Sequence, residues 1–192
     1  MREMSKSKLV FEGQLFHLAA LVVLLAAVYS LRNLAGFSEG EFLGLSTSLW
    51  IALAVADAII HQVYVWFCWR LELHHQSLTR WFGDKAFVLY AAMFTALFVA
   101  RPILAFMLGW SNRGALDINP WLGYGISIVL LGPVIFMMYS IVHFFSFRRA
   151  FGIDHFDASY WDVPFVRQGI FKWTPNAMYV FGFFALWIPA FL

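Results

Sequence analysis

Charge is what this chain has least of. Of its 192 residues only 12% are Asp, Glu, Lys or Arg, while 62% are hydrophobic and 20% aromatic. A soluble domain carries about 25% charged residues, so lipid rather than water is the main solvent of this chain. The net charge of +2 is too small to mark nucleic acid as a partner. Cysteine is single, Cys68, which excludes a disulfide framework and any multi-cysteine metal cluster and leaves the redox compartment unread. Three motifs are also missing: GxGxxG, the phosphate-binding GxxxxGK(S/T) and GxSxG. The pair Gly123 and Gly125 reads as a close-packing position rather than a phosphate cradle. No internal repeat and no Pro/Gly/Ser-rich linker divides the chain, so residues 1–192 are read as one integral membrane domain.

What the chain has in abundance is long apolar runs. Five are near the roughly 20 residues needed to cross a bilayer: 14–31, 45–69, 86–110, 121–147 and 174–192. Their length, and the lack of short alternating patterns, favours helices over a membrane barrel. The expected fold is therefore all-α: a polytopic integral membrane protein with about five transmembrane helices and a short interfacial segment, 148–173, before the last. The nine Trp and 22 Phe suit interfacial anchoring and bulky lipid-facing packing. The last run, Phe183 to Leu192, stops while still apolar, which raises the expectation of sequence beyond it.

Lys and Arg set the expected orientation. Arg2, Lys6 and Lys8 precede the first run; Arg70, Arg80 and Lys85 follow the second; Arg148, Arg149, Arg167 and Lys172 follow the fourth. The other two loops carry only Arg32 and Arg113. By the positive-inside rule the N-terminus and the 70–85 and 148–173 loops are expected in the cytoplasm. The first run exceeds a signal-peptide core and lacks an A-x-A site after it, so it reads as a retained helix.

Polar residues within the runs are few. Asp57 and His61 share a helix face at four-residue spacing. A charged residue in the bilayer needs a partner, and Arg101, near the middle of the third run, lies at matching depth on an antiparallel segment. Two readings stand: a structural Asp57–Arg101 pair, or part of a polar cavity with His61. Tyr139 and His143 repeat the four-residue spacing, and Pro133 marks a kink above them. His17, His61 and His143 permit the idea of a bis-histidine haem, but their depths do not match. His74-His75 is explained by a solvated loop rather than by di-iron chemistry.

The stretch Gly169-Ile170-Phe171-Lys172-Trp173-Thr174-Pro175-Asn176-Ala177-Met178-Tyr179 gathers basic, aromatic and amide groups at the foot of the last run. Upstream, Phe147 to Asp157 mixes aromatics with both signs of charge. Together they resemble the membrane-embedded methyltransferases of the isoprenylcysteine carboxyl methyltransferase and phospholipid N-methyltransferase superfamily. Those proteins place a His upstream of Gly-x-Tyr-(Arg/Lys)-(Tyr/Trp)-x-Arg-His-Pro-x-Tyr. Gly169, Phe171, Lys172 and Trp173 match that pattern, and Met178-Tyr179 falls where the family has its Met/Leu–Tyr. Pro175, Asn176 and Ala177 replace the Arg-His-Pro core, and the helix glycine is displaced to Gly182. The resemblance also implies one more helix and an acidic C-terminal motif than this chain carries.

What the resemblance implies is methyl transfer from S-adenosylmethionine to a lipid or lipidated acceptor, with no metal. The acceptor is a phosphatidylethanolamine-type amine or a prenylcysteine-type carboxylate. Gly169, Phe171, Lys172, Trp173, Asn176, Met178 and Tyr179 become the expected cofactor contacts. His155 and Asp154 are candidate proton acceptors, since an amine must lose a proton before attack. Arg148, Arg149 and His143 are candidates to hold the lipid acceptor. Two other classes stay open: a non-catalytic membrane subunit or assembly factor, and a haem or quinone redox protein. The membrane system and any protein partner are unread.

Overall fold

The computed structural model describes residues 10–31 and 39–192; Arg2, Lys6, Lys8 and Arg32 lie outside them. In order, the chain forms helix α1 (Gln14–Leu31), a hairpin of β1 (Glu41–Phe42) and β2 (Leu45–Ser46), and helix α2 (Thr47–His75). Then come the short α3 (Ser77–Phe82), α4 (Ala86–Ser111) and α5 (Pro120–Ser140). A π-turn (Ile141–Phe145), the four-residue α6 (Phe147–Ala150), a series of 3-10 turns and α7 (Ala177–Trp187) complete it.

Local chemistry explains the boundaries. The hairpin turns at Leu43 and Gly44, both with positive φ (54° and 74°), the conformation that two-residue hairpin loops require. Ser46 caps α2 by accepting from the Leu49 amide at 3.3 Å. At the other end Gln76 turns left-handed (φ 52°) and its amide donates to the carbonyls of Glu72 and Leu71. Glu72, 2% exposed, accepts from the amides of Leu78 (2.8 Å) and Thr79 (3.2 Å) and from the Thr79 hydroxyl, so α2 carries its own cap for α3. Asn119 caps α5 through the Trp121 amide (2.9 Å), with Pro120 at the first helical position.

Among the described residues four helical stretches are long and apolar enough to cross a membrane: Gln14–Leu31, Thr47–His75, Ser77–Ser111 and Pro120–Phe145. Their outward faces are dense in Leu, Val, Phe and Trp, as befits helices solvated by lipid. These are the helices of an integral membrane protein. The expected fifth span is shorter: α7 has 11 residues, about 17 Å of helix. It starts at Ala177, after Pro175, and gives way at Ile188–Phe191 to a 3-10 turn containing Pro189; proline lacks the amide an α-helix would need there. That turn packs against the other helices at close-approach glycines. A Cβ on Gly109 would come within 2.5 Å of the Pro189 carbonyl oxygen, and one on Gly123 within 2.4 Å of that of Phe191. Gly125 faces open space.

Two hydrophobic clusters form near one end of the bundle. Leu78, Ala86, Tyr90 and Phe94 bury together, with Trp69, Phe151 and Phe156 packed on them. Met137, Ile141, Phe145, Ile170, Phe171 and Ala177 form the second. The 146–173 segment is thus anchored twice, by Phe151 and Phe156 over α2 and α4 and by Ile170 and Phe171 between α5 and α7. Burying a side chain of this size contributes about 1.5–3 kcal/mol. Between the two anchors the chain arches over a cavity. This end also gathers Arg70, Arg80, Lys85, Arg148, Arg149, Arg167 and Lys172, and is called the basic end below.

Candidate functional site

The arch begins at Ser146, whose backbone (φ 76°) breaks α5 and whose hydroxyl accepts from the Arg149 amide. Arg149 then reaches across the arch. Its guanidinium lies 5.0 Å over the Phe145 ring and donates to the carbonyls of Pro164 (3.2 Å) and Val163 (3.5 Å). Gly152 follows with φ +80°, where a Cβ would stand 2.6 Å from the Trp69 indole. Only glycine allows both that conformation and that approach. The tight turn delivers Asp154 and His155 in one 3-10 turn. Next, Asp157 accepts from the Ser159 amide at 2.9 Å, starting the turn that carries Tyr160 and leads into Trp161. Trp161 Nε1 donates back to the Asp154 carbonyl at 2.6 Å. The arch therefore braces itself.

Beneath it lies a cavity of about 540 Å³, lined by Leu73, Phe145, Arg149, Asp154, His155, Tyr160, Trp161, Val163 and Phe165. Its wall combines one guanidinium, one carboxylate, one imidazole and four aromatic rings. His155 is mostly enclosed, its ring centroid 4.5 Å from that of Trp69. Asp154 Oδ1 lies 3.4 Å from His155 Nδ1, but out of hydrogen-bond alignment, so Nδ1 is a buried atom without a bonded partner. Burial holds the His155 imidazole below its usual 6.5, against the opposing pull of the Asp154 carboxylate. A neutral imidazole beside an exposed carboxylate can accept a proton and be stabilised once charged. Asp157 is held below the usual carboxylate range by its bonds to Ser159.

The structure brings Arg149, Asp154 and His155 to this one cavity and disperses the other candidates. Arg148 points the other way, 5.5 Å over the Phe87 ring. Gly169 (φ +56°) fits against Ser140, whose hydroxyl a Cβ would meet at 2.5 Å; that hydroxyl accepts from the Ile170 amide at 3.0 Å. Phe171, 3% exposed, stacks on Phe145 at 4.9 Å, so it supports the cavity wall from behind. Met178 packs partly buried on the same cluster. Lys172, Trp173, Asn176 and Tyr179 are exposed and do not line the cavity. Trp173 instead lies 5.7 Å from Phe136, which stacks on Tyr139 (6.4 Å), which stacks on His143 (4.0 Å). Trp173 and His143 thus end one aromatic ladder on the outside of α5.

Asp57 and Arg101 face each other across α2 and α4, with Arg101 Nε 3.5 Å from Asp57 Oδ2. His61, buried one turn away, sets its ring 4.9 Å from Phe94. His17 pairs with Gln14, at 3.0 Å. Among the described residues no three His, Cys, Asp or Glu side chains converge in a way that could hold a metal ion.

No family model, curated protein or solved structure matches this chain. The site therefore stands on its own geometry. Sequence reasoning passed over Leu73, Phe145, Tyr160, Trp161, Val163 and Phe165. The Asp157-Ala158-Ser159 turn, followed by Tyr160 and Trp161, was the one available signal for them.

Proposed function

We propose that this protein is a membrane methyltransferase that uses the cavity at its basic end, facing the cytoplasm, to move a methyl group from S-adenosylmethionine to a lipid or lipidated acceptor. The observation that carries the reading is the convergence of Arg149, Asp154 and His155 in one aromatic-walled cavity at the end of apolar helices. The resembling motif adjoins it, since Phe171 stacks on the lining residue Phe145.

The lining residues fit the methyl donor by size and charge. A volume of about 540 Å³ falls within the roughly 300–1,000 Å³ of small-molecule sites. Asp154 suits the ammonium of the donor's amino-acid end, Arg149 its carboxylate, and the faces of Tyr160 and Trp161 its cationic sulfur. When bound, the donor supplies a methyl group on a sulfonium centre. The chain's own work is positioning and proton removal. Arg149, tied to Val163 and Pro164, holds an anionic group at a fixed place. His155, kept neutral by burial, takes the proton that an amine acceptor must lose, and Asp154 stabilises the resulting imidazolium. Lys172, Trp173, Asn176 and Tyr179 are exposed outside the cavity, where an approaching lipid can meet them.

A second reading is a membrane subunit that works with a protein partner. It is favoured by α1, which buries none of its residues. Incubating the protein in nanodiscs with methyl-labelled S-adenosylmethionine separates the two. Label appearing in the lipid fraction, and falling at least about tenfold in His155→Gln, supports the transferase. A lipid fraction that stays unlabelled with a range of headgroups and prenylcysteine acceptors sinks it.

A further inference from the structure

The arch is held unevenly along its length. Up to Trp161 it is a series of hydrogen-bonded turns, closed by the Trp161 indole on the Asp154 carbonyl. From Ile170 onward it is locked to α5 through Ser140. Between these points the backbone has little to hold it. The amides of Asp162, Phe165, Val166, Arg167, Gln168 and Gly169 donate to no protein acceptor among the described residues, and Pro164 has no amide to give. Val163 and Phe165 are exposed, while Val166 packs partly buried on the second cluster. Unbonded backbone and sparse apolar burial mark a segment that opens at low free-energy cost.

One side chain ties the middle of this segment down. Among the described residues Arg149 alone hydrogen-bonds residues 162–168 to the body of the protein, one terminal nitrogen donating to the carbonyls of Pro164 and Val163. Both acceptors are neutral, and 3.2 and 3.5 Å lie at or beyond the long end of ordinary N–H···O bonds. The guanidinium is steadied from the other side, 5.0 Å over the Phe145 ring and carried on a short helix capped by Ser146. Its remaining nitrogens bond no protein atom among the described residues, so the same group can hold an anion from the cavity side. The segment ends at Gly169, whose φ of +56° glycine adopts without strain. Within it, Val163 and Phe165 form part of the cavity wall.

We propose that residues 162–168 are a strap, hinged at Trp161 and Gly169, that forms a movable wall of the cavity, and that Arg149 is its latch. Latched, Val163 and Phe165 close that side of the cavity. Unlatched, they swing away and the cavity widens, the change in backbone angles falling on the two hinge residues. The latch acts whatever the cavity binds, so it stands apart from the methyltransferase reading.

Electron paramagnetic resonance of the full chain in nanodiscs tests it, with a nitroxide on Asp162→Cys or, separately, on Ala158→Cys, each in a Cys68→Ala background. Both positions are exposed; the first lies in the strap and the second in the braced turn before it. The strap label is expected to show a mobile and an immobile component. Arg149→Gln, which removes the charged donor, should raise their ratio at position 162 about tenfold, the loss of one hydrogen bond to a charged group. The label at position 158 should not change. An unchanged ratio at position 162, or an equal rise at both positions, overturns the proposal.

Discussion

Replacing Phe171 by alanine separates a packing role for the Gly169–Tyr179 stretch from a contact role. The ring is 3% exposed, stacked on Phe145 at 4.9 Å and met edge-on by Phe165 at 6.2 Å. Truncating so buried an aromatic removes its transfer energy and leaves a cavity, at a cost of about 3–5 kcal/mol. For a chain of this size that lowers the thermal midpoint by roughly 6–20 °C. The same change at Trp173, 66% exposed, is expected to stay within about 0.5 kcal/mol. Thermal unfolding in detergent, followed by intrinsic fluorescence, reads both. Because Phe145 and Phe165 line the cavity, Phe171→Ala should also speed proteolysis within 154–165, while Trp173→Ala should not. Equal losses in the two variants, or an unchanged Phe171→Ala protein, would refute the claim that Phe171 holds the cavity wall.

Three further outcomes follow from the same structure. Glu72→Gln keeps the shape but weakens a charged acceptor that serves two amides and a hydroxyl, and should cost about 1.5–3 kcal/mol, seen as a lower midpoint in SDS titration. Asp57→Asn leaves the Arg101 charge unpaired in the membrane, so the double variant Asp57→Asn/Arg101→Met should be more stable than Asp57→Asn alone, with a coupling of about 1 kcal/mol in a double-mutant cycle. His155 has a folded pKa below its unfolded 6.5, so the unfolded chain binds more protons as pH falls below that value. Stability should therefore be complete above it and decline on acidification. His155→Gln should lose that contribution to the pH dependence, which midpoints at pH 8 and pH 5.5 check.

The parts legible in the sequence are those governed by local composition. The first span is bounded by polar or charged residues at both ends, and its helix runs over the expected 14–31. The second ran on to His75 because Leu71 and Leu73 continue the apolar pattern past Arg70 and Glu72, and because the signal for its end is the cap Glu72 provides across Gln76. The short last helix had its warnings in Pro175 and Pro189, which hydropathy summed over the run outweighed. Asp57 and Arg101 could be paired by counting residues, since antiparallel helices of known length match depths. The arch could not be derived that way. Its turns have no periodicity, and whether Phe171 or Trp173 faces inward depends on the pocket Ser140 and Phe145 offer thirty residues away. For the same reason the basic and aromatic motif read as one surface, while the structure splits it into a buried wall and an outer ladder.

The most direct test of the account is calorimetric titration of S-adenosylmethionine into the purified chain, beside Asp154→Asn and Trp173→Ala. The account predicts binding by the parent chain, at least about tenfold weaker binding in Asp154→Asn once its charged contact is gone, and unchanged affinity in Trp173→Ala. No heat from the folded parent chain, or loss in Trp173→Ala with Asp154→Asn unaffected, would contradict the claim that the cavity under the arch holds the methyl donor.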